Sequence, residues 1–520
     1  MKRSAWLVAS LLWSNLALAS GFEYPDNGAV PMGRGSAFAA KANDGTAIYY
    51  NPSGLAQQEG WRILIDGQMA LQSIDYQRTD ASGTNIGPAV SNSGGPFFAP
   101  FVAVSKQIFP GLTIAIGAYG PPANGKFAFP DESPPQLTST QQRIFFATCG
   151  VGGVAQPPCA GASTSSTTDA SQKYQLINEN LLVLYPSVSV GWAPPLIGKF
   201  FQIGGSLQLE YATSTFRQAT FDGAAAEQPV AGKSWSHSPS NELLTYDTIA
   251  NVAVSGMTVT GIVGLTVTPL SNLRIGASYR PRSVLNQTGT LRLDYSPLAQ
   301  GTNATATGNG ATNGPDPNPD PAGKHDSSGV GPTTLSAVFP GELKSGVDWG
   351  FGFGDVELDF NYTQWSQYQE SVLTPQYSLS TSVTGTNPIP PVYLVHDFQD
   401  TWALRLGADF DIPIPGIRLT LRAGGGYESN AYNESKTQFV TVNFANFDQI
   451  YGAVGATLGF AWFDLDLAYS HVYMPTDQVR NSGTSSVVNN PPTPAEPVIV
   501  GDGNYKSGYD LLAVGLRAHF

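Results

Sequence analysis

Side chains that could perform nucleophilic or acid–base chemistry are scarce in this chain, which has five histidines and two cysteines among 520 residues. A hydrolase needs a nucleophile and a base close together, and it often displays the nucleophile in a Gly-x-Ser-x-Gly turn. The sequence contains no such turn, and His237, His325 and His396 all lie in or beside predicted connections. So few histidines and cysteines also leave little material for a metal site. We therefore expect no enzymatic activity, no metal and no cofactor.

The first residues of the chain have the features of an export signal. Two basic residues follow the initiating methionine, an apolar stretch occupies residues 5–18, and this stretch ends in the small-residue motif Ala-Leu-Ala. The apolar stretch is shorter than the ~20 residues that a membrane-spanning helix needs. We therefore interpret residues 1–19 as a secretory signal peptide and expect the mature chain to start at Ser20 or Gly21.

Export changes what is expected of the two cysteines. Cys149 and Cys159 flank a stretch that is rich in glycine and proline. Exported proteins mature in oxidising compartments, and this cysteine spacing is weak as a metal motif. We expect a structural disulfide between Cys149 and Cys159.

The composition after the signal peptide favours β-structure. No later segment is a continuous apolar run long enough to cross a bilayer as a helix. Charged residues make up 12% of the chain, whereas glycine (57), tyrosine (22) and phenylalanine (26) are abundant, as strands and turns require. The net charge of -13 argues against nucleic acid as a partner, because nucleic-acid binding requires a basic surface.

The main pattern in the sequence is an alternation of apolar and polar residues. The segment DVELDFNYTQW alternates Leu358 and Phe360 with Glu357 and Asp359, and several other segments repeat this pattern. A soluble β-sandwich alternates in the same way and is the alternative. A membrane barrel is favoured by strands of ~10 residues or more, and by aromatic residues near the ends of the apolar faces. The polar faces would then line a lumen.

The lengths of the connections give an independent indication of the fold. Strands are predicted at 61–76, 96–107, 111–120, 178–194, 200–216, 257–268, 272–293, 333–349, 353–366, 399–411, 416–430, 446–460, 463–474 and 505–520. Every second connection is tight and the others are long, as in outer-membrane barrels with short periplasmic turns and long external loops. The sequence therefore predicts an all-β fold, a transmembrane antiparallel β-barrel of about 14 strands in the bacterial outer membrane.

Residues 20–60 precede the first predicted strand and are rich in glycine and other small residues. A barrel formed by residues 61–520 should enclose an open lumen unless something fills it, because porins with about 16 strands leave a channel. We expect residues 20–60 to form a hatch inside the lumen. Carboxylates of the strand faces would hydrogen-bond its backbone and pair with Arg34 and Lys41. The alternative function is a polar-solute porin, which needs no hatch.

Six motifs, taken together, identify a family. They are Ser20-Gly21-Phe22, GRGSAF, NPSGLA, IGAYGPP, YTQWSQYQE and the C-terminal GDGNYKSGYDLLAVGLRAHF. With these motifs the chain resembles the FadL/TodX family of outer-membrane transporters for long-chain fatty acids and other hydrophobic compounds. The resemblance covers nearly the whole mature chain and implies the same barrel with an N-terminal hatch.

The resemblance also implies passive transport of a hydrophobic ligand in three steps. External loops capture the ligand, a pocket near the N-terminus receives it inside the barrel, and it leaves sideways into the membrane at a kinked third strand. Phe22, Tyr24 and Tyr119 are then candidate ligand contacts. The implied partners are the ligand, outer-membrane lipid and lipopolysaccharide, and the protein is expected to be a monomer.

The third predicted strand contains the candidate lateral gate. Gly117, Gly120 and Pro121 lie in the motif IGAYGPP. Glycine and proline weaken strand pairing and mark bulges and bends. The alternative is that these residues only end the strand.

The resemblance makes a specific expectation about the ligand's head group. Fatty-acid carriers of this family place basic residues near the end of the fifth strand and just before the tenth. In this chain Thr213 and Val395 stand near those positions, with Arg217 and His396 close by. Arg217 and His396 are therefore candidate ligand contacts, although Arg217 could also be a solvated loop charge. If the basic site is altered, a neutral or aromatic hydrocarbon becomes a plausible ligand.

The segment AIYYNPSGLAQ comes directly before the first predicted strand. Asn51, Pro52 and Ser53 resemble the family's Asn-Pro-Ala hatch motif. Pro52 would fix the angle at which the hatch meets the wall, and Asn51 would hydrogen-bond to local backbone. We expect this corner either to hold the hatch in place or to help it move.

Overall fold

A computed structural model gives the fold of the protein. It describes residues 27–120, 126–130, 172–198, 200–221, 247–295, 330–381, 385–389, 391–432, 438–445, 447–480, 482–486 and 498–520. Five of the residues predicted to have a role fall outside these ranges, together with the expected signal peptide: Phe22, Tyr24, Pro121, Cys149 and Cys159. None of the helices in these ranges is long and apolar enough to span a bilayer.

Strands dominate the described residues. The helices are short, namely α1 (Ala29–Gly33), α2 (Ala47–Tyr50) and the 3-10 segments Pro52–Gln57 and Trp365–Gln367. The strands are β1 (Trp61–Arg78), β2 (Val90–Ser91), β3 (Phe97–Phe109), β4 (Leu112–Tyr119), β5 (Lys126–Ala128), β6 (Asn178–Trp192), β7 (Phe201–Phe221), β8 (Asp247–Leu270), β9 (Leu273–Arg280), β10 (Ser283–Tyr295), β11 (Val330–Phe339), β12 (Glu342–Phe351), β13 (Gly354–Thr363), β14 (Glu370–Pro375), β15 (Ser378–Thr381), β16 (Gly385–Pro388), β17 (Val392–Val395), β18 (Thr401–Ile414), β19 (Ile417–Glu428), β20 (Gln449–Gly459), β21 (Phe463–Tyr473), β22 (Asp477–Val479), β23 (Ser485–Ser486), β24 (Val498–Ile499) and β25 (Gly503–His519).

These strands form a closed antiparallel barrel of 14 passes, which confirms the predicted fold class. Some passes contain two strands in succession: β2–β3, β4–β5, β9–β10, β11–β12, β13–β14, β17–β18 and β21–β22. β1 pairs with β25 along its length, from Arg62 opposite His519 to Arg78 opposite Gly503. This pairing closes the barrel and removes the free edges that an open sheet would expose.

The two faces of each strand are as the alternation predicts. On β13, Leu358 and Phe360 are 54% and 41% exposed, whereas Glu357 and Asp359 are buried. The exposed apolar face is the one that contacts lipid in an outer-membrane barrel. The buried polar face points into the lumen, where it needs polar partners.

One strand begins ten residues earlier than predicted. The sequence predicts the start of the sixth pass at residue 257, whereas β8 begins at Asp247. In the structure Gly256 stays in the ladder of β8 and lies opposite Gln287 of β10. A Cβ at Gly256 would lie 2.4 Å from the backbone oxygen of Asn286, so glycine serves close strand packing here rather than a turn.

Two of the divided passes break at proline. Pro281 separates β9 from β10, and Pro340 separates β11 from β12. Proline cannot donate a backbone hydrogen bond to the ladder, so the strand ends at that point. The strands predicted from the sequence continue through both prolines, as single long strands at 272–293 and 333–349.

The described N-terminal residues 27–58 fold inside the barrel. All of them are buried except Asn43 and Gln57. Helix α1 packs against β20 and β21, and the segment Pro52–Gln57 packs against β6, β7 and β8. We call residues 27–58 the N-terminal segment. It lies toward the end of the barrel that carries the tight turns, which is the periplasmic end in outer-membrane barrels.

Candidate functional site

An ion-pair cluster fixes the N-terminal segment to the barrel wall. Arg34 Nη1 donates to Asp355 and to Asp409, each at 2.6 Å, and Nη2 donates to Glu357 at 3.2 Å. Lys41 Nζ donates to Asp355 at 2.5 Å and to Asp409 at 2.8 Å. Burial by itself lowers the pKa of Arg34, but the surrounding carboxylates outweigh it and raise the pKa above its ordinary value. The buried guanidinium is therefore charged.

Lumen carboxylates also hold the backbone of the segment. Asp359 Oδ2 accepts hydrogen bonds from the N–H groups of Phe38 at 2.8 Å and Ala39 at 2.9 Å. Glu357 Oε1 accepts one from the N–H of Ala40 at 2.6 Å. These backbone bonds and the ion pairs are the contacts that the sequence predicts between the strand faces and this segment.

Asn51 connects three parts of the molecule at the corner before β1. Its Oδ1 accepts hydrogen bonds from the N–H of Ser53 at 3.2 Å and from Ser53 Oγ at 2.7 Å. Its Nδ2 donates to the carbonyl oxygens of Ala39 at 2.8 Å and of Leu265 at 3.1 Å. The local bond to Ser53 is as predicted, and the bond to Leu265 joins the corner directly to β8.

Two glycines on the inner wall make room for this corner. A Cβ at Gly264 would lie 2.1 Å from Asn51 Oδ1, and a Cβ at Gly204 would lie 2.2 Å from the carbonyl carbon of Pro52. Any larger residue at either position would displace the corner or bend the wall. These glycines could not be identified from the sequence, because the residues of a strand do not show what packs against it.

An apolar cavity of about 340 Å³ lies inside the barrel, toward the end that carries the long connections. Its lining comes from β6, β7, β8, β10, β11, β14 and β17, together with connecting residues at 175–176, 368, 389, 396, 439–444 and 483–484. Leu285, Leu291 and Leu373 are buried members of this lining. A mostly apolar cavity of this size suits a small hydrophobic molecule.

Two polar members of the lining differ in how they are paired. Gln175 is fully engaged, since its Nε2 donates to the carbonyl oxygen of Val500 at 2.6 Å and its Oε1 accepts from the N–H of Val442 at 2.9 Å. Glu179 accepts one hydrogen bond, from Asn443 Nδ2 at 2.8 Å. Among the described residues that line the cavity, Glu179 is the only carboxylate, and neither lysine nor arginine is present.

His396, a predicted ligand contact, lines the cavity within an aromatic cluster. Its ring stacks on Phe398 with centroids 5.1 Å apart, and it lies 4.7 Å from the rings of Tyr368 and Phe444. Burial lowers the pKa of His396 to about 3. The ring is therefore neutral near pH 7 and contributes apolar surface rather than a cation.

Arg217, the other candidate for the head group, faces away from the cavity. Phe216 and Gln218 line the cavity, and successive side chains of a strand point to opposite faces. Thr213 takes the same outward face, between Ala212 and Ser214 of the lining. Arg217 is not among the described lining residues, so the cavity gives its predicted role no support.

Tyr119 is buried in an aromatic cluster, and it is not among the described residues that line the cavity. Its ring stacks on Phe101 and Tyr185 at centroid distances of 5.1 and 5.2 Å, and it contacts Tyr49 edge-on at 5.3 Å. Its hydroxyl accepts a hydrogen bond from Gln208 Nε2 at 2.8 Å. Tyr119 thereby links the N-terminal segment to three barrel passes.

The third pass remains paired up to Tyr119. β4 pairs with both β3 and β6 as far as this residue, and the N–H of Gly120 donates to the carbonyl oxygen of Pro100 at 3.0 Å. β4 ends there, and β5 begins at Lys126. Of the three expected gate residues, Gly117 lies within the paired ladder, Gly120 directly follows it, and Pro121 lies outside the described ranges.

Gly117 has a packing role that the sequence analysis did not anticipate. A Cβ at this position would lie 2.6 Å from Ile48 Cδ1 and 2.7 Å from the backbone oxygen of Val102. Gly117 thus allows helix α2 to approach β4 closely, and the ladder is intact on both sides of it.

Sequence reasoning also missed Glu179 as a member of the cavity. The alternation contained the necessary signal, because Glu179 is in phase with Val183 and Tyr185, which face inward on the same strand. A charged residue in phase with an inward apolar face indicates a lumen position.

The sequence of the chain is similar to those of known outer-membrane proteins. Residues 197–500 match the family model described as outer membrane protein transport protein (OMPP1/FadL/TodX). A curated outer membrane protein of Neisseria meningitidis serogroup B is 25% identical over 125 residues, which are 23% of this chain. The match spans 27% of the length of that relative.

Solved structures share the fold over nearly the whole chain. A Pseudomonas aeruginosa FadL homologue has a TM-score of 0.69 at 14% identity, with 96% of this chain and 100% of that chain covered. The Ralstonia pickettii toluene transporter TbuX has a TM-score of 0.55 at 17% identity, with 95% of this chain and 99% of that chain covered. The Pseudomonas putida toluene transporter TodX has a TM-score of 0.58 at 13% identity, with 96% of this chain and 100% of that chain covered. Because the family model matches more than half of the residues of this chain, the chain belongs to the OMPP1/FadL/TodX family of outer-membrane transport proteins.

Proposed function

We propose that the protein carries hydrophobic compounds passively across the outer membrane and holds them in the apolar cavity on the way. The observation that carries this proposal is the cavity itself, about 340 Å³ in volume and lined mostly by apolar side chains. An apolar solute gains about 25 cal/mol for each Å² that it removes from water, and a water-filled pore offers no such gain. TbuX and TodX are named toluene transporters, which supports a neutral hydrocarbon as the ligand.

In this proposal residues 20–60 are the hatch, residues 1–19 the signal peptide and residues 61–520 the barrel. The burial of the N-terminal segment and its ion pairs with the wall support a hatch. A polar-solute porin requires a continuous water path, and a buried segment in the lumen opposes one. The hatch blocks the straight path through the lumen, so an apolar ligand has to leave the barrel by another route.

The ligand leaves sideways, through the wall at the second and third passes. In the second pass, β2 ends at Ser91 and β3 begins at Phe97. In the third pass, β4 ends at Tyr119, followed by Gly120 and Pro121. Two neighbouring strands end here, which offers a place for an opening in the wall. The exit leads into membrane lipid beside lipopolysaccharide, and a single barrel is sufficient, so we propose a monomer.

The experiment tests binding and conduction on the same full-length protein. We expect liposomes containing it to take up a fluorescent hydrocarbon probe, and planar bilayers containing it to pass little ion current. Ser214→Trp places an indole in the cavity and should lower probe uptake. Leu207→Trp is the matched control, because Leu207 lies on the same strand and is 65% exposed on the outer face. Free ion conduction by the intact protein, or wild-type uptake by Ser214→Trp, would overturn the proposal.

A further inference from the structure

The cavity has an unusual charge for a site that receives hydrophobic compounds. Glu179 is the only acidic side chain among the described residues of its lining. Burial raises the pKa of Glu179 to about 7, so it is ionised near pH 8, whereas His396 is neutral there. A ligand carboxylate entering this cavity would lose its hydration, find no cation and face a second carboxylate. Burial of an unpaired charge is among the most costly events in a protein interior. The lining therefore disfavours anionic head groups.

Glu179 also retains hydrogen-bonding capacity. It is the second residue of β6, at the end of the strand that leads to a long connection. Its only hydrogen bond within the described residues comes from Asn443, and no ion pair to it is formed there. A carboxylate can accept about four hydrogen bonds, so Glu179 can still accept from a donor on a ligand.

A second unused polar group lies elsewhere in the lining of the cavity. Gln287 on β10 is 3% exposed and lines the cavity, and its Oε1 has no hydrogen-bond partner among the described residues. An unpaired buried amide oxygen costs free energy until something donates to it. If the amide is rotated by half a turn, its amino group faces the cavity instead. A ligand hydroxyl can pair with either orientation, because it both donates and accepts.

Gln287 and Glu179 lie on different strands of the cavity wall. Glu179 is opposite Phe216, which is opposite Val252 of β8, which in turn is opposite Leu291 of β10. Gln287 precedes Leu291 by four residues on β10, and a strand rises ~3.3 Å per residue. The two polar groups are therefore separate contacts on the wall, with apolar surface between them.

We infer that the cavity selects apolar compounds that carry a neutral hydrogen-bond donor, such as a hydroxyl group, and rejects carboxylates. Glu179 accepts a hydrogen bond from the donor, and Gln287 is a second partner for it on another strand of the cavity wall. Leu285, Leu291 and Leu373 cover the hydrocarbon part of the ligand. This inference rests on the proposed transport function and specifies the substrate class of the same cavity.

The test compares three ligands with the same chain length and different ends: octane, 1-octanol and octanoate. Each is titrated against a fluorescent hydrocarbon probe bound to the full-length protein in lipid nanodiscs near pH 8, with empty nanodiscs as the partition control. One net hydrogen bond corresponds to roughly five- to tenfold in affinity. We expect 1-octanol to displace the probe at about one-fifth or less of the octane concentration. Octanoate should require at least about tenfold more than 1-octanol.

Two variants separate the two contacts. Glu179→Gln removes the negative charge and should narrow the gap between octanoate and 1-octanol. Gln287→Leu removes the second polar group and should reduce the advantage of 1-octanol over octane. Glu370→Gln makes the same chemical change as the first variant at an exposed position outside the described lining, and it should leave all three affinities unchanged.

The outcomes distinguish this inference from the function on which it rests. If the probe does not bind, or none of the three compounds displaces it, the proposed transport site itself is wrong. If octane displaces the probe but octanoate competes as well as 1-octanol, the site stands and the selectivity is overturned. Unchanged ligand ratios in both Glu179→Gln and Gln287→Leu would also overturn it.

Discussion

Arg34 Nη1 lies 2.6 Å from Oδ1 of Asp409, and this bond joins the N-terminal segment to β18 of the wall. The side chain of Arg34 is fully buried, and that of Asp409 is 6% exposed. Lys41 and Arg422 also donate to Asp409, at 2.8 and 3.3 Å. Removing one member of a buried ion pair leaves the other charge uncompensated, which costs about 3–5 kcal/mol. Arg34 is therefore the position where one substitution should loosen the segment most.

We predict that Arg34→Gln will raise the ion conductance of the protein while the barrel stays assembled. The substitution leaves Asp355, Asp409 and Glu357 with less positive charge, but it touches none of the ladder hydrogen bonds. The local cost should be about 3–5 kcal/mol. Single-channel recording in planar bilayers measures the conductance, and the shift in gel mobility on heating reports the folded barrel.

Arg418→Gln is the matched control for this prediction. Arg418 donates to Asp464 at 2.6 Å, but its side chain is 58% exposed. An exposed pair contributes about 0–1 kcal/mol, so this variant should conduct like the wild type. Equal conductance in Arg34→Gln and the wild type would show that the buried pair does not hold the segment in place.

The fold could be predicted from the sequence because its signals are local. Alternation along one strand shows which side chains face lipid, and the length of a connection shows at which end of the barrel it lies. The predicted start of β8 was wrong by ten residues, and the feature that explains Gly256 just before it is the backbone of Asn286 on a neighbouring strand. A contact with a neighbouring strand cannot be recognised from the sequence of the segment that it affects.

The site was less predictable than the fold. The carboxylates of the ion-pair cluster could be assigned to the lumen, but not the pairing of Arg34 with Asp409, which are 375 positions apart. Arg217 was chosen for its charge although its phase on β7 points outward, whereas Glu179 was overlooked although its phase points inward. The position of a residue in the inward–outward alternation of its strand predicts which side chains line the cavity better than charge does. The expected disulfide between Cys149 and Cys159 stays a prediction.

The corner before β1 gives a second prediction. Asn51→Ala removes the bonds to Ser53, Ala39 and Leu265, and Pro52→Ala removes the fixed backbone angle next to them. Both variants should take up less hydrophobic probe than the wild type and still form the heat-modifiable barrel. Loss of the folded barrel in either variant would show instead that the corner serves assembly.

A third prediction approaches the same corner from the wall. Gly264→Val should displace Asn51, because even a Cβ would lie 2.1 Å from its Oδ1. Overpacking of this kind costs about 1–3 kcal/mol. We expect a protease to cleave the N-terminal segment faster in this variant than in the wild type in detergent. Mass spectrometry of the fragments measures the cleavage rate. Gly452→Val is the control, since a Cβ there meets nothing within 4 Å. Identical cleavage rates in the two variants would show that the space at Gly264 does not help to hold the corner in place.

The last prediction concerns pH and the aromatic cluster around His396. In an unfolded chain histidine has a pKa near 6.5, whereas burial lowers the pKa of His396 to about 3. Between these values the unfolded chain binds a proton at this site that the folded chain does not. The site therefore lowers the free energy of unfolding as the pH falls through this window, by up to about 1.4 kcal/mol per pH unit, and has no such effect above about pH 7.

His396→Phe keeps a ring against Phe398 and removes the titration. Carboxylates elsewhere titrate equally in both proteins, so the difference between their free energies of unfolding isolates His396. We expect the variant to gain stability relative to the wild type as the pH is lowered from about 7.5 to about 4.5, measured by urea unfolding in lipid bilayers. A difference that stays constant over this range would mean that the His396 ring is open to water and available to a charged ligand.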